Sequence, residues 1–123
     1  TLVDAQPNNA AMLNNLAWSL DQSKDPKAIE YAERAYKLAP EQPAVMDTLG
    51  VMLVEKGDGA RGLELLKKAS SKAPQNGMIR LNLAKALVKT GNKDEARKEL
   101  DELTKLGEKF PAQAEVEKLR QSL

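Results

Sequence analysis

An eight-residue frame, Leu-x-x-Leu-Ala/Gly-x-x-Leu, recurs three times along this 123-residue chain. Leu13, Leu16, Ala17 and Leu20 make the first copy, Met46, Leu49, Gly50 and Leu53 the second, and Arg80, Leu83, Ala84 and Leu87 the third, with the opening position varying. The small residue of the frame returns after 33 residues and then after 34. Apolar residues three and four apart share one face of a helix, and a helical pattern repeating at this length describes stacked helix pairs that bury their apolar faces against one another. The expected fold is an all-α solenoid, an architecture that offers extended surfaces to other chains.

Punctuation sets the register. Pro7, Pro40 and Pro74 stand 33 and 34 residues apart, each where the second helix of a pair should stop, because proline cannot continue a helix. Thr1 to Gln6 then reads as the stub of an earlier repeat, and the chain as a piece of a longer array. First helices are expected at about 10–22, 44–56 and 77–90, each followed by a turn at Asp25-Pro26, Gly57-Asp58 or Gly91-Asn92. Asp25, Asp58 and Asn92 are expected to cap the second helices, Pro26 to occupy a first turn, and Glu95 to complete a capping box with Asn92. Small residues at Ala17, Gly50 and Ala84, and at Ala28, Gly62 and Ala96, predict close helix–helix approach. Ala35 and Ala69 continue that pattern and Leu103 breaks it, so the last repeat faces something different. The segment Pro111 to Leu123, with Ala112, Val116, Leu119 and Leu123 on one stripe, is predicted to be a capping helix.

The composition fits closely packed helices: 41% of residues are hydrophobic but only 3% aromatic. The net charge of +1 divides into −3 over residues 1–56 and +4 over 57–123, a gradient too mild for a nucleic-acid binder. The chain contains no Cys, which excludes disulfides and thiolate metal sites, and no His, the commonest general base. No apolar run approaches the ~20 residues that cross a bilayer. Without a phosphate loop or nucleophile elbow, no enzymatic activity is expected, and neither is a cofactor or metal. The Asp94-Glu95 pair is explained by a helix start, where acidic residues favour the helix dipole.

A helix-turn-helix of about 34 residues with Leu-Gly in its first helix, small residues in its second and a closing proline resembles the tetratricopeptide repeat. The middle copy carries the resemblance best, through Leu49, Gly50, Gly57, Leu66, Ala69 and Pro74. The first copy lacks one residue in its internal turn, and the third has Glu108 in place of the closing proline. The resemblance implies a right-handed α-solenoid with a remnant at 1–9, repeats at 10–42, 43–76 and 77–110, and a capping helix at 111–123. The runs Asn14-Asn15-Leu16-Ala17-Trp18, Tyr31-Ala32-Glu33-Arg34-Ala35-Tyr36 and Asp47-Thr48-Leu49-Gly50 are also similar to the C-terminal repeats of bacterial tetratricopeptide lipoproteins that accompany exopolysaccharide export and the exosortase protein-sorting system. That similarity implies a periplasmic or cell-envelope location, with the cytoplasm as the alternative.

If the resemblance holds, first helices line a concave groove and positions off their apolar stripe look into it. These candidates are Asn14, Asn15, Trp18 and Asp21; Asp47, Thr48, Val51 and Glu55; Met78, Asn82, Lys85 and Lys89. Asn15 and Asn82 are the expected clamps, because an amide both donates to and accepts from a peptide backbone. Trp18 admits two roles, an aromatic anchor for a ligand or packing against the next repeat. Lys85 and Lys89, one turn apart, either neutralise a carboxylate of the partner or form a solvated face. Tyr31 and Tyr36 read as packing residues, and Lys67-Lys68 and the acidic Glu99, Asp101 and Glu102 as solubilising surface. The carboxylate clamp of chaperone-binding relatives is not reproduced at Asn14, Trp18, Asp47 and Thr48. The expected partner is a protein or peptide held in the groove; the alternatives are a spacer within a longer solenoid and self-association through the N-terminal edge.

Overall fold

The computed structural model describes residues 9–107 and 110–123; the stub expected at Thr1 to Gln6 and the stop position at Glu108 lie outside them. The described residues form seven helices and no strand. In chain order they are α1 (Ala10–Gln22), α2 (Ala28–Leu38), α3 (Pro43–Glu55), α4 (Gly59–Lys72), α5 (Gly77–Lys89), α6 (Lys93–Lys105) and α7 (Gln113–Gln121). Each helix packs on its successor, and α1, α3 and α5 also pack side by side in a row. That row makes the inner layer of an α-solenoid, with α2, α4 and α6 outside it.

The turns inside the helix pairs repeat one hydrogen-bonded design. After α1, the Lys24 amide donates to the Asp21 carbonyl and the Asp25 amide to that of Leu20. The same pair of bonds joins Gly57 to Val54 and Asp58 to Leu53, and again Gly91 to Val88 and Asn92 to Leu87. This closure needs a left-handed residue, which Gly57 (φ 99°) and Gly91 (φ 85°) supply without a Cβ penalty. In the first turn Lys24 takes φ 58°. The residue missing from the first repeat is lost after this turn: α2 begins only at Ala28, and Pro26 and Lys27 precede it. Pro26 therefore stands ahead of the helix and not in its first turn. Between pairs, Ala39 (φ −141°) and Ala73 (φ −130°) end α2 and α4 in non-helical backbone, as the prolines that follow them require.

Capping departs from expectation in two of the three repeats. Asp58 accepts from the Arg61 amide at 3.4 Å, whereas Asp25 reaches only the Lys27 amide, one residue ahead of α2. Asn92 makes no cap bond, because its side-chain amide is committed to the Thr90 hydroxyl at 2.8 Å, and so the capping box with Glu95 does not form. Asn9 and Asn76 cap α1 and α5 instead, accepting from Met12 at 3.0 Å and Ile79 at 3.1 Å.

Small residues bring the helices together. A Cβ on Gly62 would lie 2.7 Å from the Gly50 carbonyl oxygen and 2.6 Å from Val54 Cγ2, so α3 and α4 approach backbone to backbone. Ala17, Ala35, Ala69, Ala84 and Ala96 have no exposed surface. Leu103 is equally buried but packs in a cluster with Leu100, Phe110 and Val116. Here α7 covers the face that a further repeat would otherwise occupy. Gln113 ties it down by donating to the Leu103 carbonyl at 2.7 Å, with ion pairs from Arg120 to Asp101 and from Lys85 to Glu115. Among the described residues no helix is long and apolar enough to cross a membrane.

Candidate functional site: the inner-helix groove

A cavity of about 900 Å³ opens along the row of inner helices. Trp18, Asp21 and Gln22 of α1, Val51 and Glu55 of α3, and Asn82, Lys85 and Lys89 of α5 line it, together with the turn residues Lys24, Asp25, Pro26 and Lys56. A narrower recess of about 200 Å³ continues from it over Val51, Val54 and Ala86. In the repeat frame, the residue one place after the small residue is Trp18, Val51 or Lys85, and five places after it is Gln22, Glu55 or Lys89. Both sets line the cavity in full, since positions one turn apart share a helix face.

Several expected site residues lie elsewhere. Thr48 has no exposed surface, and its hydroxyl donates to the Ala44 carbonyl at 2.9 Å, so it does not face the groove. Asn14, at 8% exposure, is also shielded, and its Oδ1 has no hydrogen-bond partner. Asp47 is buried and accepts from the Asn82 amide at 3.1 and 3.2 Å. Asn82 thus spends its amide donor on joining α3 to α5, which removes half of its expected clamp chemistry. Asn15 and Met78 are exposed outside the cavity, so the structure does not bring Asn15 and Asn82 together in it. Trp18 is half-buried and lines the cavity. Tyr31 and Tyr36 pack on the core, with the Arg34 guanidinium 5.3 Å from the Tyr31 ring.

Charge is unevenly arranged in the groove. Burial pushes the Asp47 carboxyl up to about 6, against the lowering effect of its bond from Asn82. Burial also raises Glu55, and the adjacent Asp21 carboxyl raises it further by repulsion and by a side-chain hydrogen bond. Lys85 is held by Glu115 of α7, a partner about a repeat away in sequence. Of the acidic cluster expected to be solubilising surface, two members are likewise paired across helices, Glu99 with Arg80 at 3.2 Å and Asp101 with Arg120, while Glu102 pairs with Lys105 of its own helix at 3.2 Å. Lys67 bridges α4 to Glu95 of α6 at 3.2 Å.

Family models described as tetratricopeptide repeat match residues 53–123 and 1–43 of this sequence. The chain belongs to the tetratricopeptide repeat family. Its solved structural neighbours include a mutant of MamA, which superposes with a TM-score of 0.69 over 85% of this chain and 77% of that one, at 21% sequence identity. At that identity the likeness speaks to the fold alone. No curated protein sequence matches the chain. As a tetratricopeptide repeat protein it is a helical scaffold for protein interaction, a class whose members are typically non-enzymatic. The tetratricopeptide frame also shows what the sequence reading missed. Gln22 occupies the same frame position as Glu55 and Lys89, so tabulating that position across repeats would have found it. The Lys85–Glu115 contact leaves no such signal, because it depends on how α7 docks.

Proposed function

We propose that the inner-helix groove holds a segment of a partner protein, extended or helical, lying across α1, α3 and α5 over Trp18 and Val51. The observation that carries this reading is the cavity of about 900 Å³ lined by equivalent positions of all three inner helices. Its floor is apolar at Trp18 and Val51 and its walls carry Asn82, Lys85 and Lys89, the mixture that orients a bound peptide. The similarity of the first two repeats to envelope lipoproteins favours a bacterial cell-envelope assembly, of the kind that exports exopolysaccharide, as the setting. The internal pairing of Asn82 with Asp47 and of Lys85 with Glu115 favours the competing reading of a spacer.

Capture from envelope and cytosolic extracts separates the two. The native chain and a Trp18→Ala/Lys89→Glu variant serve as baits, with melting curves recorded for both. A protein retained by the native chain and lost from the variant, at unchanged melting, is the expected result. Identical captured sets would favour the spacer.

A further inference from the structure

The groove has a carboxylate contact that its own residues leave unbridged. Asp21 of α1 and Glu55 of α3 come from neighbouring repeats and line the same cavity, and their side chains meet in hydrogen-bond contact. Two carboxyl groups that close repel unless a proton or a cation lies between them. Lys56 and Lys89 act on Glu55 only through space, and among the described residues neither forms an ion pair with it. Lys85 is held by Glu115. Trp18 lies one helical turn before Asp21 on α1 and lines the cavity beside the pair.

Building on the groove reading above, we infer that the occupant carries an arginine or lysine, seated against Trp18 with its cationic end on the carboxylates of Asp21 and Glu55. Two charge-bearing oxygen pairs and a flat aromatic face match a guanidinium, which forms paired hydrogen bonds at its edge and stacks on its face. The remainder of the groove offers a second contact. Lys89 of α5 stands across the cavity from α1, so an acidic residue of the same segment belongs on that side. The partner is therefore a segment that places a basic residue over α1 and α3 and an acidic one over α5.

Selection of random dodecapeptides displayed on phage against the whole chain tests this, with affinities of the enriched peptides read from the fluorescence anisotropy of a dye attached to the peptide, a signal that every variant of the chain can report. Enriched peptides are expected to carry Arg or Lys and to bind an Asp21→Asn/Glu55→Gln variant at least about tenfold more weakly. That difference should vanish when the basic residue of the peptide is changed to Gln. The variant loses a like-charge contact, so its melting temperature should be equal or higher, and weaker binding cannot then be ascribed to unfolding. Peptides without a basic residue, or equal affinity for both proteins, would overturn the inference while leaving the groove in place. Peptides whose binding is indifferent to Trp18→Ala would overturn the groove reading itself.

Discussion

Asp47 holds the same frame position as Asn14 and Leu81, three residues before the small residue, and all three are shielded from solvent. A carboxylate there loses hydration, and a single neutral amide from Asn82 repays only part of the loss. The consequence is a pH dependence with a definite sign. The folded-state value of about 6 lies above the ordinary 3.8, so the native chain binds the proton more tightly than the unfolded one. Stability from this group is full below about pH 4 and is lost as pH rises through 6, by an amount on the order of 3 kcal/mol. Asp47→Asn keeps an oxygen for Asn82 to donate to and removes the charge. Urea unfolding at a series of pH values should show the variant more stable than the parent at pH 7.5, and a flatter profile between pH 4 and 6.5. The polar character of this position was plain in the sequence; its burial was not, because it comes from α5 lying against α3.

The element that repeats most faithfully is the turn within each helix pair, where Lys24 stands in for glycine. A side chain in the left-handed region costs about 1 kcal/mol or more, which Gly57 and Gly91 avoid. Lys24→Gly should therefore raise the urea midpoint, by a stability gain of about 1 kcal/mol at unchanged slope. A lower midpoint would mean that side-chain contacts of Lys24 outweigh its backbone strain. Helix positions could be read from the frame and the prolines almost to the residue: 44–56 was expected where α3 runs Pro43–Glu55. The caps were less legible. Whether Asn92 turns to its own helix or to Thr90 is decided by rotamers within a turn, which residue type does not specify.

At the scale of the whole molecule the chain is quasi-one-dimensional, since among the described residues each helix pair packs chiefly on its neighbours in the stack. The cover supplied by α7 is then a local matter for the last pair. Val116, 1% exposed among Leu81, Leu100, Leu103 and Phe110, is its anchor. Val116→Asp places an unpaired charge in that seam. Hydrogen exchange should show protection falling in α6 and α7 while α1 to α3 keep theirs; uniform loss across all helices would show a cooperative unit larger than one repeat.

By itself the sequence determined that the chain is a helical repeat array, where its helices start and stop, and which small residues let them approach. Those properties follow from spacing along one helix and from the backbone limits of proline and glycine, which are local. Asp21, Glu55, Lys85 and Lys89 were expected in the groove and line it, but tertiary structure alone decided the fate of the position two residues before the small one. Asn15, Thr48 and Asn82 hold one frame position, yet one is exposed, one sealed and one spent on Asp47. The Asp21–Glu55 contact and the Lys85–Glu115 pair likewise join residues from different helices, and their environments are set by how neighbouring repeats stack.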